Sequence, residues 1–275
     1  MTDSQLQRMR DVLEALAGPY SFLSPRDTLD FFHRKHITNL AHYCDISRCV
    51  LVDCGCGHGW NVLAFLLAGG RMAIGVDFEE VKLKIATEFI RILELTDRAL
   101  FCRASVTNLP VADNGIDLST CIETLEHLDG GADSALAELQ RVTRSAVLVT
   151  TPNKLSPIIS HDTRLPLAHW MPAGLRRVYA KAFGRLDDDK GNTFLSPFQI
   201  TRGLRGFRLA SRFLAFPSFD AFADSYPHYL PYIGAGTWRT LSGAQRRAYA
   251  MIDRIYGRRS FYVLPSLTGV FVSTE

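Results

Sequence analysis

Nine consecutive residues, Leu51-Val52-Asp53-Cys54-Gly55-Cys56-Gly57-His58-Gly59, join an apolar run to an acid and three alternating glycines. In order they read as a buried strand, a tight turn and the start of a helix. Gly55 and Gly57 let the backbone turn sharply and approach a ligand with no Cβ in the way. Gly59 lets the helix begin close to the sheet. A second acid, Asp77, ends the next apolar run, 24 residues beyond Asp53. An acid at that place can accept both hydrogen bonds of a ribose 2′,3′-diol, so the two features together predict an adenosine-bearing cofactor.

The glycine spacing narrows the choice. A dinucleotide fingerprint is G-x-G-x-x-G and presents helix N–H groups to a pyrophosphate. Here the spacing is G-x-G-x-G, with Trp60 and Asn61 after the turn and Asp53 before it. A carboxylate beside the turn repels a pyrophosphate and suits a cationic ligand. S-adenosylmethionine carries both an ammonium and a sulfonium.

A second chemical cluster is Glu123, Glu126 and His127, just after the fourth apolar run. Two carboxylates and an imidazole could hold Mg2+ or Mn2+. They could equally supply a general base or a local helix cap, and no fourth ligand is clearly placed, so no metal is expected. His161 and His169 follow the fifth run, and the pair His169-Trp170 suits a half-buried acceptor pocket. His58 is expected to face solvent. Arg34 and His36 could reach a cofactor carboxylate from an N-terminal lid.

The elements that must position these groups follow from periodicity. Amphipathic helices are expected at 4–17 and about 27–43, the second bringing Leu29, Phe32, His36, Ile37 and Leu40 together. Strands are expected at 50–53, 72–76, 99–102, 116–122 and 146–150. Between them lie helices at 60–68, near 81–92 and near 133–144. This alternation predicts a parallel sheet with helices on both faces. Beyond residue 153 the rhythm breaks. A short helix is expected at 172–183, a helix at 196–204, a strand at 207–216, a helix at 242–256 and a last strand at 267–272. The fold class is therefore α/β, a doubly wound, seven-stranded, mostly parallel sheet. Its parts are an N-terminal helical lid over 1–47 and a core over 48–275 with insertions at about 154–195 and 217–264.

Composition agrees with a globular chain of 275 residues, 47 % hydrophobic and 21 % charged. The longest clean apolar run, Val62 to Ala68, is far short of the roughly 20 residues that cross a bilayer. No signal peptide is expected. Cys44, Cys49, Cys54, Cys56, Cys102 and Cys121 lack the paired spacing of zinc sites; they are read as reduced thiols, and the expected location is the cytoplasm. Net charge is +3, but it is segregated: residues 154–185 and 239–259 each carry six basic residues and one acid. Both stretches would emerge at the ligand-binding edge of such a sheet. Arg176, Arg177, Lys181 and Arg185 lie in the first, and Arg246, Arg247, Arg254, Arg258 and Arg259 in the second. They interleave with Trp170, Tyr179, Phe183, Trp238, Tyr249 and Tyr256, which suits an anionic or amphipathic acceptor. No recognised nucleic-acid module is appended.

Residues 48–153 resemble the class I S-adenosylmethionine-dependent methyltransferases, with a core like the ubiquinone and menaquinone type. LVDCGCGHG looks like the family's first motif, GVDFEE its second and SVTNLPVADNGIDL its third region. CIETLEHL and VTTPN look like the ends of its fourth and fifth strands, and 199–216 like its later helix and strand. The resemblance implies that Asp53, Gly55, Cys56, Gly57 and Gly59 line the methionine and ribose. It implies that Asp77 holds the ribose, that Phe78 packs on the adenine, and that Cys121 and Ile122 lie under the methionine. Ser105 stands where the family often places an acid for adenine N6, which shifts recognition toward the backbone N–H of Val106. E-x-x-E-H also resembles ubiquinone-type and RNA 3′-terminal O-methyltransferases, some of which use a metal there. The expected activity is methyl transfer to a small molecule, most simply at an oxygen of an anionic, glycosylated or lipid-linked metabolite, with His127, His169 and Glu123 as catalytic candidates. A metal-assisted quinone or RNA 3′-hydroxyl methyltransferase, and a cofactor-binding accessory protein without turnover, are the alternatives.

Overall fold

The computed structural model describes residues 1–157, 165–185, 192–225 and 241–274; His161, Trp238 and Arg239 lie outside them. Among the described residues, seven strands form one sheet: β1 Val50–Cys54, β2 Met72–Asp77, β3 Ala99–Arg103, β4 Ile116–Ile122, β5 Thr143–Pro152, β6 Phe207–Leu209 and β7 Ser266–Ser273. Their order is β3-β2-β1-β4-β5-β7-β6. β1 to β5 run parallel, and β7 is antiparallel to both β5 and β6. The chain direction reverses its winding between β1 and β4, which opens a crevice at their carboxyl ends, the place where such sheets bind ligands.

The helices are α1 Asp3–Leu16, α2 Pro25–Phe32, α3 Thr38–Leu40, α4 Trp60–Leu67, α5 Glu80–Ile92, α6 Ala132–Val142, α7 Ala173–Ala182, α8 Pro197–Gly203, α9 Phe219–Ser225 and α10 Gly243–Tyr256. Every residue of β1 is buried, as a strand covered on both faces must be. Leu51 joins one core with Trp60, Phe65 and Phe89, while Val52 and Cys54 join the other with Leu136 and Leu139. Residues before β1 share the first of these cores. Met9 and Leu13 of α1 are fully buried in it. α1 opens on a capping box between Thr2 and Gln5.

Two expected elements differ. The helix over 27–43 is broken: α2 gives way to a π-helical turn at His33–Ile37 before α3. Its apolar face is nonetheless the expected one, since Leu29, Phe32, His36, Ile37 and Leu40 are all buried. The strand over 207–216 stops at Leu209. Ser211 Oγ accepts from Val270 N–H at 3.1 Å, Leu214 takes φ +52°, and Phe213 and Phe216 close a small bridge. Those phenylalanines serve a separate aromatic cluster with Phe219, Phe222 and Leu264; α9 supplies Phe219 and Phe222 and was not expected.

Candidate cofactor and acceptor site

The glycine turn sits at the carboxyl end of β1, and each glycine meets a different constraint. Gly55 has φ +76°, and a Cβ there would lie 2.2 Å from Thr124 Oγ1, so the turn is pressed against the segment after β4. Gly59, also at φ +76°, would place a Cβ 2.9 Å from Ala86 of α5. Gly57 faces open space within 4 Å. The turn is thus packed at both ends and open at its centre.

Asp77 locks the turn to β2. Its Oδ2 accepts from Gly57 N–H at 2.8 Å and its Oδ1 from Glu79 N–H at 2.8 Å. Each carboxylate oxygen retains a second lone pair for a ligand hydroxyl. Asp53 is placed differently, 2 % exposed beneath the turn. Its Oδ1 accepts from Thr120 Oγ1 at 2.6 Å, and Thr120 Oγ1 accepts from Asn61 Nδ2 at 2.9 Å. Burial pushes the Asp53 carboxyl up to about 7, against the hydrogen bonds from Thr120 and Asn61; the nearby Asp77 charge adds to the rise. Thr120 and Asn61 were not anticipated. Thr120 lies opposite Asp53 in the β1–β4 register, which only the strand order reveals.

The other residues that the resemblance assigns to the cofactor spread around this centre. Phe78 is 70 % exposed, with the Arg103 guanidinium 5.2 Å from its ring centroid. Ser105 Oγ lies 2.7 Å from Thr107 Oγ1 and accepts from Thr107 N–H at 3.2 Å, so its hydroxyl already holds a local turn. Val106 beside it is buried. Cys56 and Cys121 turn their side chains into opposite cores, Cys56 toward Leu51 and Cys121 toward Val52. What they can offer a ligand is backbone. The same geometry separates Cys54 from Cys56, and all six cysteines are free thiols. Burial raises Cys54, Cys56 and Cys121 well above the ordinary thiol range, which keeps them protonated and inert.

His58 corrects an expectation. It is buried and lies edge-on to Tyr20 at 5.5 Å, so the segment before α2 covers the turn. Burial, then the Lys82 charge, lowers its pKa. His36 is also corrected: it is fully buried between Phe31 and Phe32 and does not reach the turn side, while Arg34 pairs with Asp30 at 2.8 Å.

Past β4 the three E-x-x-E-H groups diverge. Glu123 takes a left-handed φ of +48° and its N–H donates to Thr150 O at 2.7 Å. Glu126 is fully buried and accepts from Thr151 Oγ1 at 2.8 Å. His127 is exposed, with Nδ1 2.8 Å from Asn192 Oδ1. Among the described residues no group of three His, Cys, Asp or Glu is placed to hold a metal ion. His169 packs on the chain after β5: its Nε2 lies 3.1 Å from Lys154 O, and Trp170 Nε1 donates to the same oxygen at 2.7 Å.

Asn153, not singled out from sequence, ties the edge together. Its Nδ2 donates to Leu264 O at 2.8 Å and Tyr262 O at 3.3 Å, and its Oδ1 accepts from Leu155 N–H at 2.9 Å. The excursion after β5 and the one before β7 therefore meet at one buried amide. Pro152 pairs with Ser266, which puts both excursions at the carboxyl edge.

The methyltransferase-domain family matches residues 51–146. A demethylmenaquinone methyltransferase of Lactiplantibacillus plantarum is 32 % identical over 188 residues, covering 66 % of this chain and 77 % of its own. The chain belongs to the class I S-adenosylmethionine-dependent methyltransferases. An uncharacterized protein of Methanocaldococcus jannaschii is 32 % identical over 111 residues, and the chain spans 43 % of that relative's length. A geranyl diphosphate C-methyltransferase of Streptomyces coelicolor A3(2), solved with S-adenosyl-L-homocysteine, shares the fold at TM-score 0.50 and 13 % identity, over 86 % of this chain and 76 % of its own. The methyltransferase's cofactor is S-adenosylmethionine, and the turn fits it: open space over Gly57, a carboxylate at the rim and a buried acid beneath.

Proposed function

We propose that this methyltransferase moves the methyl group of S-adenosylmethionine to an oxygen of an anionic or amphipathic small molecule. The observation that carries the reading is the glycine turn closed by Asp77 at the switch point, with two basic excursions meeting at the same edge. When bound, the sulfonium supplies an activated methyl group, and the protein's share of the work is positioning. Asp77 accepts from the ribose diol. Gly55, Cys56, Gly57 and Gly59 give the methionine and ribose a backbone wall. Phe78 packs on the adenine, and Ser105 and Val106 border it. Asp53, kept near neutral pH in its protonation, becomes a carboxylate opposite the ammonium. Of residues 1–47, which otherwise pack into the first core, Tyr20 covers the turn at His58.

An oxygen acceptor must lose a proton as its bond to carbon forms, and a base must take it. His127 is the group we assign. Asn192 Oδ1 accepting from Nδ1–H places the basic lone pair on Nε2. Glu123 and His169 border the acceptor and orient it. The metal-assisted alternative requires Glu126 to leave its buried bond with Thr151.

The test is incubation of the purified protein and deuteromethyl-labelled cofactor with fractionated metabolites, read by mass spectrometry. Labelled products confined to acidic or amphipathic fractions, retained in the presence of a chelator and lost in His127→Ala, support the reading. Products confined to neutral polar metabolites overturn the acceptor class. Loss on chelation with rescue by Mg2+ restores the metal-assisted route.

A further inference from the structure

Helix α10 has an exposed face that no core cluster of the described residues takes up. Tyr249 and Ile252 turn inward to Phe213 and Phe222, and Asp253 is gripped by Arg212 at 2.9 and 3.1 Å. At 3.6 residues per turn, the opposite side carries Ala244, Ala248, Met251 and Ile255. Met251 is 58 % and Ile255 63 % exposed. Arg247 and Arg254, seven residues apart, border this stripe. No residue of α10 is buried, and Asp253, the one acid between 241 and 259, lies on the inner face. The outer face is therefore apolar at its centre and positive at its margin.

α7 repeats the combination. Its inner side buries only Ala180. Leu175 at 57 %, Val178 at 66 % and the following Phe183 at 63 % are exposed, alongside Arg177 and Lys181. The two helices stem from the same sheet edge, α7 after Pro152 and α10 before Ser266. Such a mixture is the pattern of a helix lying in a membrane interface, with apolar side chains in the acyl boundary and cations among the headgroups. A nucleic acid would engage the arginines and leave Met251, Ile255, Leu175 and Val178 against water. A second copy of the chain would bring like charges together.

We propose that the outward face of α10, with α7 as a second amphipathic helix from an excursion of the same edge, docks on an anionic lipid bilayer. No helix among the described residues is long and apolar enough to cross a membrane, so the contact is interfacial. It goes beyond the acceptor reading and does not depend on it, because binding is measured without turnover.

The experiment is sedimentation of the full chain with vesicles of phosphatidylcholine alone or with about one third phosphatidylglycerol. The expected result is binding to the anionic vesicles only, weakened by added salt. Arg247→Glu with Arg254→Glu should reduce it by at least about tenfold, since each cation near such a surface contributes about fivefold in affinity. Met251→Ser with Ile255→Ser should also reduce it, with no change of charge. Arg8→Glu with Arg10→Glu on α1 makes the same charge change elsewhere and should leave binding intact. All these positions are exposed, so S-adenosylhomocysteine binding should persist in each variant and report an intact fold. Absence of vesicle binding by the wild-type protein overturns the proposal, as does equal loss in the α1 variant. Indifference to the serine pair, with tighter binding to an RNA oligonucleotide than to vesicles, assigns the face to nucleic acid instead.

Discussion

Around the glycine turn, the strands close polar groups into pairs. Asp77 holds two backbone N–H groups, and Asp53, Thr120 and Asn61 form a buried chain. In the excursions, α7 and α10 bury one residue between them, Ala180, and expose Leu175, Val178, Met251 and Ile255. The cofactor is a fixed molecule, and a hydrogen-bonded, closely packed frame suits it. α7 and α10 keep most of their side chains at the surface, where charge and apolar contact act on whatever arrives.

The sharpest way to break this contrast is Gly55→Val. The residue would adopt a left-handed φ, and its Cβ would fall 2.2 Å from Thr124 Oγ1. Backbone strain and overpacking together should cost about 2–6 kcal/mol. A thermal unfolding midpoint close to wild type would show that the turn is less rigid than drawn. Val178→Ser on α7 serves as the matched control and should move the midpoint little.

Asp53 sharpens the comparison through pH. Its carboxyl is raised from 3.8 unfolded to about 7 folded, so its proton favours the folded state at low pH. That gain is complete below the unfolded value and is lost as pH climbs through the folded one. The swing is on the order of 2–4 kcal/mol. Denaturant unfolding at pH 5 and pH 8 should therefore differ less in Asp53→Asn than in the wild type. An unchanged pH profile in the variant would mean that Asp53 is already ionised. Cofactor binding should release a proton near neutral pH, visible to calorimetry in buffers of different ionisation enthalpy.

Asp77→Ala should weaken S-adenosylhomocysteine by about 1–3 kcal/mol, the cost of leaving hydrogen-bonded hydroxyls without an acceptor. Calorimetry with unchanged affinity would remove Asp77 from the ribose. The smallest effect is expected from Arg176→Glu with Arg177→Glu. The Michaelis constant for an anionic acceptor should rise while cofactor affinity stays level. The difference should fade with salt, because exposed charges are screened beyond about 8–10 Å at physiological ionic strength. Identical kinetics at low and high salt would reduce these arginines to a solvated face.

How far the sequence could be read follows the same divide. The five parallel strands and their helices were legible because each is a local apolar run ended by its own turn. Asp53 and Asp77 were legible as strand-end acids. Thr120 was not, since its bond to Asp53 depends on β4 lying beside β1, a pairing between runs 67 residues apart. The expected strand over 207–216 failed because Phe207, Leu209, Phe213 and Ala215 keep a two-residue spacing, while Phe213 and Phe216 serve the aromatic cluster of α9 and α10. His58 was read as solvent-facing because nothing local to it announces Tyr20. The E-x-x-E-H spacing left open whether its groups converge; a short 3-10 turn at Leu125–His127 sends Glu126 inward and His127 outward.

The strand order carries a consequence for how the molecule is made. Among the described residues β6 has β7 as its only neighbour in the sheet, so after its synthesis β6 has no such edge to join until residues 266–273 are available. The parallel half through Pro152 can assemble while the chain is still emerging. Asn153 meanwhile waits for Tyr262 and Leu264. The amide that ties the two excursions is thus completed last, after every strand of the parallel half has been made.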